Sequence, residues 1–409
     1  MSAPILSRQW GQRTAATSSR PRRPLSPGPN VLDTAAMSAT ALIRQALEPM
    51  PCATPPNRLI GEIKQSPEDF VVEELPAYRP AGTGEHVFVW LQKRGVSHFS
   101  LLEALSAAWS VSADDLGTAG MKDAQAVSRQ FVSVPAQAAA AVDGSADEWL
   151  RERNIDVLER ARHPHKLKTG HLRGNQFEVT VRHARAEHGT LAEAVEALLA
   201  HTQKHGLVNA YGGQRFGLGG ATVRLGLGVL GAAGVPRAGR LGKAKLRLAL
   251  SAVQSAVFNA FVAERLAAGT LQTLAAGDVA IVRSSGGPFV VEDPRREQGR
   301  LAAREVVLGG PLLGPKMRQA EGAALAAERR LLSHYGMSMD RWQPFARLAA
   351  GARRACVVWP EPLAAELLAG DAVRLRFCLP SGSYATELLS AWLAPATTTA
   401  TTGSVAPAG

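Results

Sequence analysis

Two regions of period-two alternation enclose a long block of helical spacing, and this order restricts the fold more than any other feature of the chain. Strand side chains point to opposite faces in turn, whereas a helix returns a residue to the same face about every 3.6 positions. Upstream, Phe70-Val71-Val72-Glu73-Glu74, His86-Val87-Phe88-Val89-Trp90-Leu91, Gln130-Phe131-Val132-Ser133-Val134-Pro135 and Phe177-Glu178-Val179-Thr180-Val181-Arg182 read as strands, with a short one at Ile63-Lys64. Residues 100–109 have helical spacing through Leu101, Leu102, Leu105 and Trp109, and 190–201 read as a helix capped by Thr190. Residues 243–268 and 316–334 are Ala/Leu/Arg helical patterns with a short β-like stretch between them. The β pattern returns from Ala355, with residues 373–380 as a strand. A mixed domain interrupted by a helix-rich insertion fits this order.

The ends differ. Residues 1–57 are rich in Ser, Thr, Pro, Ala and Arg without apolar periodicity and are expected to be disordered, with Met37 or Met50 as an alternative start. Residues 394–409 form a second low-complexity tail. The longest apolar runs fall short of the roughly 20 residues of a membrane span, so the chain is expected in the cytoplasm. Cys52, Cys356 and Cys378 are far apart and odd in number, which favours neither disulfides nor a thiolate metal site.

The formal net charge of +11 points to a polyanionic partner, most simply nucleic acid. Between Arg160 and Arg185 lie seven Lys or Arg against the single Glu178, joined by four histidines at 163, 165, 171 and 183. Within this patch Asn175 and Phe177 share a strand face. An amide beside an aromatic is a common means of reading and stacking an unpaired base.

Gly120-Met121-Lys122-Asp123 places a carboxylate beside an ammonium, just after a run of turn-forming residues and just before a strand. A neighbouring Lys122 would favour the ionised form of Asp123, suiting it to act as nucleophile or base. The same tetrapeptide also reads as a surface Lys-Asp pair. Gly226-Leu227-Gly228-Val229-Leu230-Gly231 matches the dinucleotide fingerprint but lacks the preceding strand. His201 and His205 are one helical turn apart without the Glu or third ligand of a zinc site. Two other classes remain open on residues alone: a non-catalytic RNA-binding protein, and a nucleotide-dependent enzyme built on the 226–231 glycines.

In order along the chain come Ile63-Lys64-Gln65-Ser66-Pro67-Glu68-Asp69-Phe70, Gly84-Glu85-His86, Gly120-Met121-Lys122-Asp123 and Lys166-Leu167-Lys168-Thr169-Gly170-His171-Leu172-Arg173-Gly174-Asn175-Gln176-Phe177. Asn209-Ala210-Tyr211-Gly212-Gly213-Gln214-Arg215-Phe216-Gly217, Ala256-Val257-Phe258-Asn259 and Leu379-Pro380-Ser381-Gly382-Ser383-Tyr384-Ala385-Thr386 follow. Together these segments resemble the TruD family of tRNA pseudouridine synthases over roughly residues 58–393. The resemblance implies an α+β catalytic domain with a central, mostly antiparallel sheet, and a helix-rich α/β insertion. Its parts are expected at 58–205 and 359–393, with the insertion at 206–358. It implies isomerisation of tRNA uridine 13 to pseudouridine without metal or cofactor, and no membrane or obligate protein partner. Asp123 is then the catalytic aspartate, attacking C1′ or removing the C2′ proton. Phe70, Asn175 and Tyr384 would line the substrate site with Lys122 and Phe177, and Lys166, Lys168, Arg173 and Arg215 would contact tRNA. Tyr384 stands where some relatives have Phe, and Ala210 where an aromatic is often found.

Overall fold

Strand pairing crosses the helical block, so both ends of the patterned region contribute to one sheet. The computed structural model describes residues 31–50, 55–138, 144–232, 237 and 239–394. The first sheet is built from β1 (Leu59–Glu62), β2 (Phe70–Pro76), β3 (His86–Arg94), β4 (Gly117–Thr118), β5 (Val127–Pro135), β6 (Ile155–His163), β7 (Leu172–Ala186), and, from the far side of the block, β14 (Leu363–Leu368) and β15 (Ala372–Pro380). Its order is β14-β15-β7-β2-β5-β3-β6, with β1 on β7 and β4 on β5. Of its ladders only β2–β5 is parallel. The fold is α+β with a mainly antiparallel sheet.

Helices cover this sheet. A core around Val89, Leu91, Leu101, Leu105, Trp109 and Leu150 joins the sheet to α2 (His98–Trp109) and α3 (Asp147–Arg151). Another, through Val179, Phe377, Leu198, Leu389 and Trp392, is closed by α4 (Leu191–His205) and α9 (Ala385–Trp392). Thr190 caps α4 as expected, its hydroxyl accepting from the Glu193 amide while the Glu193 carboxylate returns to the Thr190 amide.

The chain passes into a second body at β8 (Leu207–Val208) and returns at β13 (Val357–Val358), two segments that pair with each other. Between them lie α5 (Ala221–Val229), α6 (Lys243–Ala267), α7 (Pro294–Ala302), α8 (Gly322–His334) and a four-stranded sheet. That sheet has the order β10-β9-β11-β12, from β9 (Val279–Val282), β10 (Pro288–Val290), β11 (Val306–Leu312) and β12 (Ala352–Ala355). The short β-like stretch is therefore three strands and a helix, and α8 begins at Gly322 rather than 316: Glu321 before it is extended, and its amide donates to the Gly277 carbonyl at 2.9 Å. The 226–231 glycines lie in and just after α5, which is preceded by short 3-10 turns and not by the strand that the dinucleotide fingerprint requires. A Cβ at Gly226 would fall 2.3 Å from the Ala249 carbonyl oxygen, so this glycine serves close helix packing. Helix α6 is long and apolar enough to span a membrane by length and composition, yet its apolar residues from Ala249 to Val262 form the centre of this core.

Within the described residues, the expected disorder of residues 1–57 does not hold at 31–47. Residues 31–47 form α1 (Val31–Leu47), which packs on α5 and α6. Ala39, Leu42, Ile43 and Ala46 repeat at i, i+3, i+4, i+7 and are buried. Gly220, at φ +75°, admits the Ile43 side chain against its backbone. The composition of the surrounding segment masked this one amphipathic stripe. Residues 1–30, 51–54 and 395–409 lie outside the described residues.

Candidate active site

Asp123 sits in the loop between β4 and β5. The glycine that shapes this loop is Gly117: a Cβ there would lie 2.4 Å from both the Leu167 carbonyl and the Ser133 hydroxyl. At Gly120 the nearest atom would be 3.8 Å away, so the turn does not depend on it. The Asp123 carboxylate accepts from the Gln125 amide through Oδ1 at 3.0 Å, a turn-stabilising bond typical of Asp. Its Oδ2 is bonded by the ammonium of Lys64. Lys93, fully buried on β3, donates to the Asp123 carbonyl oxygen and to the Val96 carbonyl, each at 2.6 Å.

The electrostatics follow. Burial is the largest influence on Asp123 and by itself raises its pKa. The Lys64 hydrogen bond, the Gln125 amide and the charges of Lys64 and Lys93 together outweigh it and hold the carboxyl below its usual range. Burial pushes the Lys93 ammonium down to about 8. Lys64 has φ +60°, a left-handed backbone uncommon outside glycine, kept at the residue that grips Asp123.

Lys122 does not pair with Asp123. Its ammonium is 2.9 Å from Glu74 Oε2, and both side chains are buried. A carboxylate taken fully out of water is costly unless paired, and Glu74 draws Lys122 inward. The cation that holds Asp123 ionised instead comes from position 64, inside a motif noted for its Phe70. Lys64 also lies over the Phe70 ring, 4.3 Å from its centroid, so Asp123, Lys64 and Phe70 form one group.

Glu74 faces Asn175 across the β2–β7 ladder, and Asn175 faces Leu379 across β7–β15. Asn175 thus lies between the Glu74–Lys122 pair and the loop leading to Tyr384. Its Oδ1 is buried without a hydrogen-bond partner among the described residues. Phe177, two residues on, is core: it stacks on Phe377 at 5.2 Å and meets Phe70 edge-on at 6.1 Å.

Tyr384 is 38 % exposed and meets Tyr211 edge-on at 5.8 Å. Beneath them Arg354 of β12 donates from Nε to the Asn209 carbonyl (3.0 Å), from Nη2 to Asn209 Oδ1 (2.7 Å) and from Nη1 to the Gly382 carbonyl (2.9 Å). Its guanidinium lies 4.1 Å from the Tyr211 ring centre, and burial lowers its pKa. Ser383 donates to Asn209 Oδ1, and Asn259 of α6 holds both backbone groups of Tyr211. Sequence reasoning missed Arg354, Lys93 and the role of Lys64. Arg354 carries no local signal, since its partners lie 145 and 28 positions away.

Among the expected RNA contacts, Lys168 is exposed, Lys166 bonds the Asp114 carbonyl, and Arg173 bonds the Pro76 carbonyl at 3.1 Å. Arg215 donates to Ser255 at 3.2 Å, 5.8 Å from the Tyr211 ring. Arg173 also lines a cavity of about 340 Å³ between the two bodies, with Gly174 and Pro380 on one side and Arg283 and Trp359 on the other.

The family model for tRNA pseudouridine synthase D (TruD) matches residues 52–231 and 239–391. The chain is 39% identical over 331 residues to a tRNA pseudouridine synthase D of Anaeromyxobacter sp. strain Fw109-5, covering 80% of this chain and 91% of the relative. It is 38% identical over 333 residues to a tRNA pseudouridine synthase D of Thermus thermophilus, covering 80% and 87%. The crystal structure of a putative TruD from Methanosarcina mazei superposes with a TM-score of 0.62 at 22% identity, covering 85% of this chain and 96% of that one, and so shares the fold. By sequence and architecture together, the chain belongs to the TruD family of tRNA pseudouridine synthases, isomerases that act on tRNA.

Proposed function

We propose that this chain converts uridine 13 of tRNA to pseudouridine, with Asp123 acting on the ribose and no cofactor. The observation that carries the reading is the Asp123 carboxylate, 35% exposed at its side chain and held ionised by Lys64 with Lys93 behind it. The reaction is an isomerisation. The C1′–N1 bond breaks, the uracil turns, C5 bonds to C1′, and the C5 proton is exchanged for one on N1. Electron demand develops at an anomeric carbon, where a carboxylate is the expected partner. Asp123 meets that demand by bonding to C1′ or by taking the C2′ proton and returning it.

The target base leaves its stack to react. Tyr384, the exposed ring, supplies an aromatic surface for it, Phe70 is buried beneath Lys64 and backs the Asp123 side, and the unpartnered Asn175 Oδ1 is an acceptor suited to the uracil N3–H. Lys168 and Arg173 contribute positive charge nearby.

Tritium release from tRNA transcripts carrying 5-³H-uridine, followed by position mapping, tests the reading. One tritium per tRNA and a product at position 13 are expected; no release, or a product elsewhere, overturns it. With 2′-²H-uridine, a primary isotope effect marks proton removal and its absence marks attack on C1′.

A further inference from the structure

Residues 197–263 contain eight Lys or Arg and no Asp or Glu. Five of the eight, Arg237, Arg240, Lys243, Lys245 and Arg247, fall within eleven consecutive positions at the start of α6 and just before it. All five are exposed. Among the described residues none of them makes an ion pair or a side-chain hydrogen bond. The first sheet behaves differently: Arg94, Arg129, Arg160, Arg182 and Arg376 each sit against a carboxylate. The 160–185 patch that stands out in the sequence is thus partly neutralised at Arg160 and Arg182, while the 237–247 cluster is not.

The placement is specific. Full burial of α6 begins at Ala249 and Leu250; in the first turn and a half only Leu246 packs partly against the core, and Lys243, Lys245 and Arg247 are exposed around it. Farther along the same helix, Ser255 bonds Arg215 and Asn259 holds Tyr211, which contacts Tyr384. At about 1.5 Å rise per residue, Lys243 is roughly 18 Å from Ser255 and 24 Å from Asn259 along the axis. That separation exceeds the reach of the reacting nucleotide yet lies within the footprint of a folded tRNA. Lys243 and Arg247 are one turn apart on the same side of α6 and Lys245 points roughly the other way, so the helix end carries positive charge on both sides. Unpaired like charges this close repel each other, and each phosphate contact relieves that repulsion while releasing a counterion.

We propose that Arg237, Arg240, Lys243, Lys245 and Arg247 form a docking surface for the tRNA sugar-phosphate backbone, remote from the uridine that reacts. The proposal rests on the tRNA reading above and assigns the body of the tRNA to this helix end. It makes the surface a determinant of substrate size: a whole tRNA reaches it and a short hairpin does not.

The test is the full-length K243E/K245E/R247E variant, assayed on intact tRNA and on a short hairpin carrying the target uridine. For tRNA, KM should rise at least about tenfold at low salt with kcat at saturation unchanged. The slope of log affinity against log salt should become shallower by about 2. Hairpin kinetics should change less than about twofold, and K243Q/K245Q/R247Q should give a smaller tRNA defect. An unchanged KM for tRNA, or an equal loss on both RNAs, overturns the proposal. If wild-type chain binds tRNA through this surface yet forms no pseudouridine, the docking site stands and the activity reading falls.

Discussion

The ammonium of Lys64 is bonded to the carboxylate of Asp123 across 59 positions of sequence. Lys64 enters from the turn after β1, at a left-handed backbone, and Asp123 from the loop before β5. Neither element is near the other in the chain. The sheet order, with β2 beside β5, is what brings the two loops to the same end.

Replacing Asp123 by Asn keeps the shape and the Gln125 bond but removes the charge. The variant should release no tritium from 5-³H-uridine tRNA while its tRNA affinity stays within about threefold of wild type, read by filter binding. Turnover near the wild-type rate would remove Asp123 from the chemistry.

Lys64→Met should be slower and more acid-sensitive. The partial exposure of Asp123 leaves the bond to Lys64 worth less than a buried charge-assisted bond. The Asp123 pKa should therefore rise, moving the acid limb of kcat to higher pH. Stability follows the same sign: a lowered carboxyl pKa stabilises the fold above the unfolded value and that contribution is lost as pH falls. An acid limb that stays in place would show that Lys64 does not set the ionisation of Asp123.

Lys93 titrates at about 8 in the folded protein against 10.5 when unperturbed. Between those values the unfolded chain binds the extra proton, so this group's contribution to stability increases as pH rises across the window. Urea unfolding of wild type and Lys93→Met should show a stability difference that is flat below pH 8 and shifts in favour of wild type above it. Activity should move the opposite way, kcat declining with a midpoint near 8 as the charge beside Asp123 is lost. A pH-independent stability difference would refute the assignment.

Leu42 is fully buried between α1 and the second body. Leu42→Ala should cost about 2–5 kcal/mol, as large-to-small changes in packed cores do. Thermal unfolding reads the loss, while kcat at low temperature stays within about twofold. An unchanged midpoint would mean that α1 does not contribute to the core.

Arg354 acts on Tyr384 through Gly382 and Asn209. Lys in its place cannot span the three acceptors, so Arg354→Lys should lower kcat by about tenfold, consistent with losing about 1–2 kcal/mol of positioning. Because both changes act on one wall, Tyr384→Ala should add little in the Arg354→Lys background. Additive losses would make Arg354 purely structural.

Local patterning already contains most of the elements. Alternation marks β2, β3, β5, β7 and β15, helical spacing marks α2 and α6, and Thr190 with Glu193 marks the start of α4, because each depends on residues a few positions apart. The ordered motifs likewise identify the family and single out Asp123, Phe70, Asn175 and Tyr384 as residues to examine. Partnership is a different matter. That Lys122 turns inward to Glu74, that Lys64 and Lys93 hold Asp123, and that Arg354 underlies Tyr384 are contacts across 28 to 145 positions. Adjacency in sequence suggested the wrong cation for Asp123, since a buried carboxylate competes for the nearest ammonium more strongly than a half-exposed one does. Only the folded sheet decides which charges share a low-dielectric space, and that choice sets the ionisation of the site.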